Sequence, residues 1–444
     1  MMSSKTVKPP AGRINRRTTA TFRALRHRNY RIWFIGQTIS LVGTWMQTMA
    51  QQVLIYRLTG SATALGIASF IALVPVIPLS FLAGSIVDRY SKQKVILFSQ
   101  IGMMIQAIIL AGLTWSGTVQ VWHVYVLSAV FGALTAIDLP ARQAITIDLV
   151  DGKEDLTNAI GLNSAMFNTA RALGPALAGL VVAATGEGIA FMLNALTFLA
   201  VIASLLAMRD LPQSSIPLEP GSGTKAHMVE GMKFVFAQPK ILILISLVAV
   251  SAFLSMPFNT LMPVFAEEIL GPTAGGVIHL FCDADSGLFR CLAPEALPLG
   301  ILLTAVGVGA VIAALTVASL PSGAHRGRIL TAGNLLFPLI LLIFAFSRSF
   351  VLSVGLLLMV GFNFVIQNAL ANTLLQIHAP DNLRGRVMGF YTMTFQITMR
   401  VGGLQAGLMT DWIGAPFALG IGALLSLFYG LFVFVRFKAV QDLK

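Results

Sequence analysis

Arg171 and Arg400 each stand deep inside an apolar stretch that is otherwise free of charge. A guanidinium at such a depth is expensive. Both are therefore expected to face an interior cavity or a polar partner. They act either on a passing substrate or as structural cations satisfied by carbonyls and buried hydroxyls. Asp138 is the only acidic residue within such a stretch, and Arg142 follows it at i+4, on the same helical face. A carboxylate that alternates between ion-paired and protonated states could couple proton movement to a change of shape, because protonation removes a buried charge. The alternative is a fixed ion pair near a helix end before Pro140. Polar residues recur at helical spacing as Thr44, Gln47, Thr48 and Gln51, then as Ser251, Ser255 and Asn259. Asn363 and Gln367 follow, with Asn368 and Asn372 on an adjoining face. Such stripes must meet water or protein. They either line a hydrated cavity or join helices, and as a set they are expected to line a cavity.

The elements that position these groups follow from composition. Of the 444 residues, 56% are hydrophobic and 11% charged, which departs from the balance of a water-soluble domain. Uncharged runs reach or exceed the roughly 20 residues a helix needs to cross a bilayer. They are Ile32–Tyr56, Leu58–Val87, Ile241–Ala266, Ala296–His325, Ile329–Ser347, Ser349–Pro380 and Trp412–Val435. Val95–Ile137 is long enough for two crossings and breaks at Trp115-Ser-Gly-Thr; Leu156–Ala184, Gly188–Met208 and Val387–Met409 complete a set of twelve. The predicted fold is an all-α membrane protein of twelve helices.

Residues 1–31 form a basic arm without an apolar core, so no cleavable signal peptide is read there. A six-helix unit over 32–208, a polar linker over 209–240, a second unit over 241–436 and a tail over 437–444 follow. Gly161, Gly174 and Gly179 recur with the same spacing as Gly389, Gly402 and Gly407, each set after a charged loop, so the two units read as a duplication. Arg171 and Arg400 lie one position out of that register. Parallel repeats of this kind place a site near the midplane between the halves. Lys and Arg gather in alternate loops, leaving only Arg57, Arg290 and Arg348 on the other side, which predicts cytoplasmic termini. The net charge of +12 is thus a topology signal beside anionic lipid rather than a nucleic-acid surface. The loop 271–298 is expected outside. It holds both cysteines, Cys282 and Cys291, and an oxidising exterior favours a disulfide. Free thiols, or a metal site adding His279 and Asp283, are the alternatives, although the spacing matches no strong zinc pattern.

Two signature motifs and five further segments carry a resemblance. Gly84-Ser-Ile-Val-Asp88-Arg89-Tyr-Ser-Lys92-Gln-Lys94 resembles the cytoplasmic signature of the major facilitator superfamily, with Ser91 in place of its second glycine and Gln93 in place of a basic residue. The resemblance implies a gate: Asp88 docks near the N-terminus of the eleventh helix while Arg89 and Lys94 pair with carboxylates. A role in folding or topology alone is the alternative. Gly161, Ala170, Gly174, Pro175, Ala178 and Gly179 resemble the fifth-span antiporter signature of proton-driven exporters, with two of its glycines replaced by alanine. Close helix packing alone is the alternative there. Phe22-Arg-Ala-Leu-Arg-His-Arg-Asn-Tyr-Arg31, Gly43-Thr-Trp-Met-Gln-Thr, Leu58-Thr-Gly-Ser, Asp138-Leu-Pro-Ala-Arg-Gln and Leu383-Arg-Gly-Arg-Val-Met-Gly389 are similar to the enterobactin-exporter-like branch, the transmembrane secretion effectors.

The resemblance implies the major facilitator fold and a proton-coupled exporter of small amphipathic molecules, siderophore-like or drug-like, in a bacterial inner membrane. It would work as a monomer without cofactor or metal. The competing expectations are a facilitator or importer of nutrients or lysolipids, and a non-transporting receptor or scaffold. The buried arginines and Asp138 argue against a scaffold. An enzyme is not expected: no phosphate-cradling Gly-x4-Gly-Lys-Ser/Thr loop, His-Glu-x2-His pair or nucleophile–base pair occurs.

Overall fold

The computed structural model describes residues 22–209, 232–282, 290–321, 324–381 and 383–443; the side chains of Phe81, Ser85, Asp88 and Lys153 also lie outside that description. Most of the basic arm, most of the central linker and the middle of the 271–298 loop are therefore outside the described residues.

Twelve helical spans run in chain order. They are α1 (Arg28–Thr59), α2 (Ala62–Leu73 continuing as Val76–Arg89), α3 (Lys92–Trp115), α4 (Val121–Asp148), α5 (Gly152–Thr185) and α6 (Glu187–Leu206). The second set is α7 (Pro239–Leu254 continuing through Phe258–Val264 and Phe265–Ile269), α8 (Ala296–Ala318), α9 (Arg326–Phe346), α10 (Phe350–His378), α11 (Arg384–Ile413) and α12 (Ala415–Arg436). Among the described residues ten candidate spans are both long and strongly apolar; α1 and α11 are equally long but carry more glutamine and threonine, and α11 carries Arg400. Proline sets the interruptions, since it lacks the N–H that the preceding turn needs. Pro75 divides α2 and Pro257 divides α7. Apolar side chains such as Leu315, Val351, Trp412 and Phe428 remain exposed around the bundle, where hydrocarbon rather than water meets them.

The duplication extends beyond the glycines read from sequence. Gly186 and Gly414, at φ 81° and 87°, each turn the chain in one residue between the fifth and sixth helices of a half. Their left-handed backbone suits a residue without Cβ. Within each half the fourth helix also meets the second at a glycine. A Cβ on Gly132 would strike the Ala72 carbonyl, and one on Gly361 would strike the Val306 carbonyl.

The start of α1, the end of α6, the start of α7 and the end of α12 share one end of the bundle, called here the linker end. Part of the basic arm docks there on the protein: Arg23 and Arg26 each reach Asp155 in the first turn of α5 at 2.6 Å, and His27 does so at 2.7 Å. One expectation is corrected. Asp138 does not sit at a helix end before Pro140, because α4 continues through that proline to Asp148. The loss of one backbone bond is tolerated in a transmembrane helix where neighbouring groups re-satisfy the freed carbonyl.

Candidate functional site

The two halves meet along α5 against α8 and α2 against α11, and the close approach runs from one end as far as Gly307 of α8, where a Cβ would strike Ala172 of α5. On α5, a Cβ built on Gly179 would lie 3.0 Å from the Gly300 Cα of α8, whereas one on Gly161 meets nothing within 4 Å. On α11, a Cβ on Gly407 would strike the Ala62 carbonyl of α2, whereas one on Gly389 meets nothing within 4 Å. The seam is thus closed at the end away from the linker and opens into a cleft towards the linker end. Gly174 serves a different contact, fitting against Trp45 and Met46 of α1 within its own half, with Pro175 following it inside the helix and Ala170 fully buried.

Arg171 of α5 and Arg400 of α11 each reach across the seam to the other half. The Arg171 guanidinium carbon stands 5.0 Å from the ring centre of Phe364 on α10 and 5.8 Å from that of Trp45 on α1, so rings from both halves hold one cation. Arg400 Nη1 donates to the Ser69 carbonyl of α2 at 3.1 Å, while its buried Nε has no hydrogen-bond partner among the described residues. No described carboxylate pairs with either arginine.

Asp138 is buried and bonded from two sides. Arg142 pairs with one oxygen, and Gln100 Nε2 of α3 donates to the other at 3.0 Å. Arg142 also donates to Gln37 of α1, so the carboxylate is tied through its arginine to a helix that runs up to the cleft. Gln37, two turns before the α1 stripe, and Gln100 of α3 gain their role only from contacts with α4, which the pattern along a single helix does not show.

The polar stripes divide. Gln47 is enclosed between α1, α3 and α6, donating to Gln106 at 3.0 Å and accepting from Asn194 at 2.6 Å. Gln51 donates to Ser128 of α4 at 2.7 Å. Gln367 accepts from Ser251 of α7 at 3.1 Å and donates to Asn334 of α9 at 2.6 Å. These side chains join helices. Asn363 donates to its own helix at the Met359 carbonyl, Thr44 to the Ser40 carbonyl, and Ser255 is fully buried. Asn259 reaches the seam through its carbonyl, which accepts from Gln52 at 3.3 Å. In the signature after α2, Lys92 pairs with Asp148 at 2.7 Å, Gly84, Arg89 and Lys94 are exposed, and the Asp88 side chain lies outside the described residues.

The closed end is latched by polar contacts between the halves. Asp411, in the last turn of α11, accepts from Ser61 Oγ at 2.6 Å, from the Ala62 amide at 2.8 Å and from the Thr63 amide at 3.0 Å. A carboxylate at the C-terminal end of its own helix opposes that helix's dipole, whereas here it also caps the positive N-terminus of α2. Tyr56 of α1 donates to Glu268 of α7. The Leu292 and Ala293 amides donate to the Ala183 carbonyl of α5 at 2.7 and 3.1 Å, and the segment that carries them is joined to the Gly275–Cys282 helix by a disulfide from Cys282 to Cys291, Cα–Cα 5.2 Å. Replacing Asp411 with alanine removes a cap worth about 0.5–2 kcal/mol. The expected result is a several-fold rise in labelling, from the closed end, of a thiol introduced by Thr260→Cys, which faces Gly403 in the seam. Unchanged labelling would show the cap to be idle.

Comparison with known proteins now adds to this geometry. A family model described as transmembrane secretion effector matches residues 19–279 and 289–442. The enterobactin exporter EntS of Salmonella typhimurium is 24% identical over 421 residues, covering 90% of this chain and 87% of that protein. The staphyloferrin A transporter of Staphylococcus aureus is 31% identical over 175 residues, which cover 39% of this chain and 44% of that transporter. Among solved structures, the nucleoside transporter NupG superposes with a TM-score of 0.68 at 13% identity, over 93% of this chain and 99% of that one. A bacterial homologue of the human lysosomal transporter Spinster, in an inward-facing and unoccupied conformation, superposes with a TM-score of 0.61 at 13% identity, over 94% and 96% of the two chains.

Proposed function

This chain belongs to the transmembrane secretion effector family of major facilitator transporters, and from that premise we propose that it is a proton-coupled exporter of small amphipathic molecules. The observation that carries this reading is the seam: it is closed at one end and open towards the linker end, and two arginines, one from each half, reach across it without a carboxylate partner among the described residues. Alternating access follows if the latch around Asp411 releases as the linker end closes. The basic residues at the linker end favour placing that end in the cytoplasm of a bacterium, with the protein in the inner membrane. The cleft would then load from inside, as export requires. Asp138, enclosed and bonded to the charge that holds α1, is the proposed proton carrier.

The names of two relatives, an enterobactin exporter and a staphyloferrin A transporter, support siderophore-like cargo; the fold shared with a nucleoside transporter suits import of a nutrient equally well. Accumulation of labelled siderophore-like and drug-like compounds in cells with and without the protein, with and without a proton uncoupler, separates these readings. Export predicts lower accumulation in expressing cells, restored by the uncoupler. Higher accumulation would establish import, and no difference for any of these compounds would remove them as cargo.

A further inference from the structure

We infer that the cleft binds its cargo as an anion, with carboxylate, sulfonate or phosphate oxygens held by Arg171 and Arg400 and a flat apolar group against Trp45 and Phe364. The inference rests on the transporter reading and names the substrate class for the same site. Buried structural cations are ordinarily matched by a carboxylate. Lys92 shows that this chain follows the rule elsewhere, since it pairs with Asp148 at 2.7 Å. Arg171 and Arg400 break it. The faces of Phe364 and Trp45 hold the Arg171 cation without neutralising it, and Arg400 spends one N–H on a carbonyl while its Nε stays without a partner. The missing negative charge is therefore supplied by whatever enters.

The aromatic surroundings define the rest of the ligand. Trp45 packs edge-on against Phe167 at 5.6 Å and Phe364 lies 6.0 Å from Phe337, so both rings are braced from behind. An anion that displaces the guanidinium from one of these faces leaves that face free for a planar apolar group. A cation would meet two like charges, and a neutral solute would leave both arginines unmatched.

The test uses the purified full chain in phosphatidylcholine nanodiscs. Phenylglyoxal modifies guanidinium groups, and peptide mass spectrometry reports the rate at each arginine. The probes are 1-naphthoate and its uncharged counterpart 1-naphthamide. At a concentration about ten times its dissociation constant, naphthoate is expected to slow modification of Arg171 and Arg400 by about tenfold by mass action. Naphthamide is expected to leave the rates unchanged, as is replacing phosphatidylcholine with phosphatidylglycerol. Equal protection by both naphthalenes, or protection by neither, overturns the inference; protection by phosphatidylglycerol alone assigns the anion to lipid and overturns it as a statement about cargo. The measurement needs no variant that must fold and no transport. An uncoupler-sensitive exporter whose arginines are not protected would therefore refute the anion site while leaving the export reading intact.

Discussion

Leucine in place of Gly179 or Gly300 is expected to lower transport by about tenfold or more while the protein still reaches the membrane at its normal abundance. The two glycines face each other across the seam. A Cβ on Gly179 would stand 3.0 Å from the Gly300 Cα, and one on Gly300 would stand 2.8 Å from the Gly179 Cα. Both obstacles are backbone, so no side chain can rotate away. Overpacking a tight contact costs typically about 1–3 kcal/mol, and each 1.4 kcal/mol changes a two-state ratio about tenfold. Because the clash exists only while this end is closed, the strain is relieved by parting the halves rather than by unfolding either one. The conformational balance shifts towards the state opened at this end, and the cycle stalls there. Gly132→Leu provides the contrast: its obstacle, the Ala72 carbonyl, belongs to the same half, so abundance should fall instead. Labelling of the Thr260→Cys thiol should rise in the Gly179 variant and stay low in whatever Gly132 protein survives. A Gly179→Leu protein that is abundant and transports at the parental rate would show that this seam does not open during the cycle.

The fold was legible because hydrocarbon imposes one strong pattern, the long apolar helix, and because the glycine spacing of the fifth and eleventh spans exposes the duplication. The arginines were legible for the same reason, since a charge is conspicuous against an apolar run. What the run could not reveal is the partner. Gln47, Gln51 and Gln367 looked fit to line a cavity, yet their amides close upon Gln106, Asn194, Ser128, Ser251 and Asn334 of neighbouring helices. Helical period identifies a polar face; it does not say whether water or another amide lies opposite. Asp411 escaped notice because the residues it caps precede it by roughly 350 positions. Its one local signal was an acid in the last turn of a helix, where the dipole disfavours it. Trp45, although part of a segment that carried the family resemblance, and Phe364 gave no sign of touching an arginine until the fold set both rings beside Arg171.

Asp138→Asn is expected to leave the amide framework of its cluster nearly in place and to abolish the dependence of transport on a pH difference. Asparagine keeps the shape and can still accept from Gln100, which now donates to the carboxylate at 3.0 Å. It cannot take up a proton, and it leaves Arg142 without its counter-ion. In the native protein, protonation of Asp138 would release Arg142, and with it the grip of Arg142 on Gln37 of α1. That release is the step through which a proton could move a helix that contributes Trp45 to the cleft. Removing one member of a buried pair typically costs about 3–5 kcal/mol, so a loss of abundance is the first effect to separate. The double variant Asp138→Asn with Arg142→Gln removes both charges and should recover the abundance but not the coupling. Transport measured in inverted vesicles under an imposed pH difference, normalised to the amount of inserted protein, reads the coupling directly. If the double variant still accumulates cargo in proportion to the gradient, the proton travels elsewhere and this cluster is a structural brace between α1, α3 and α4.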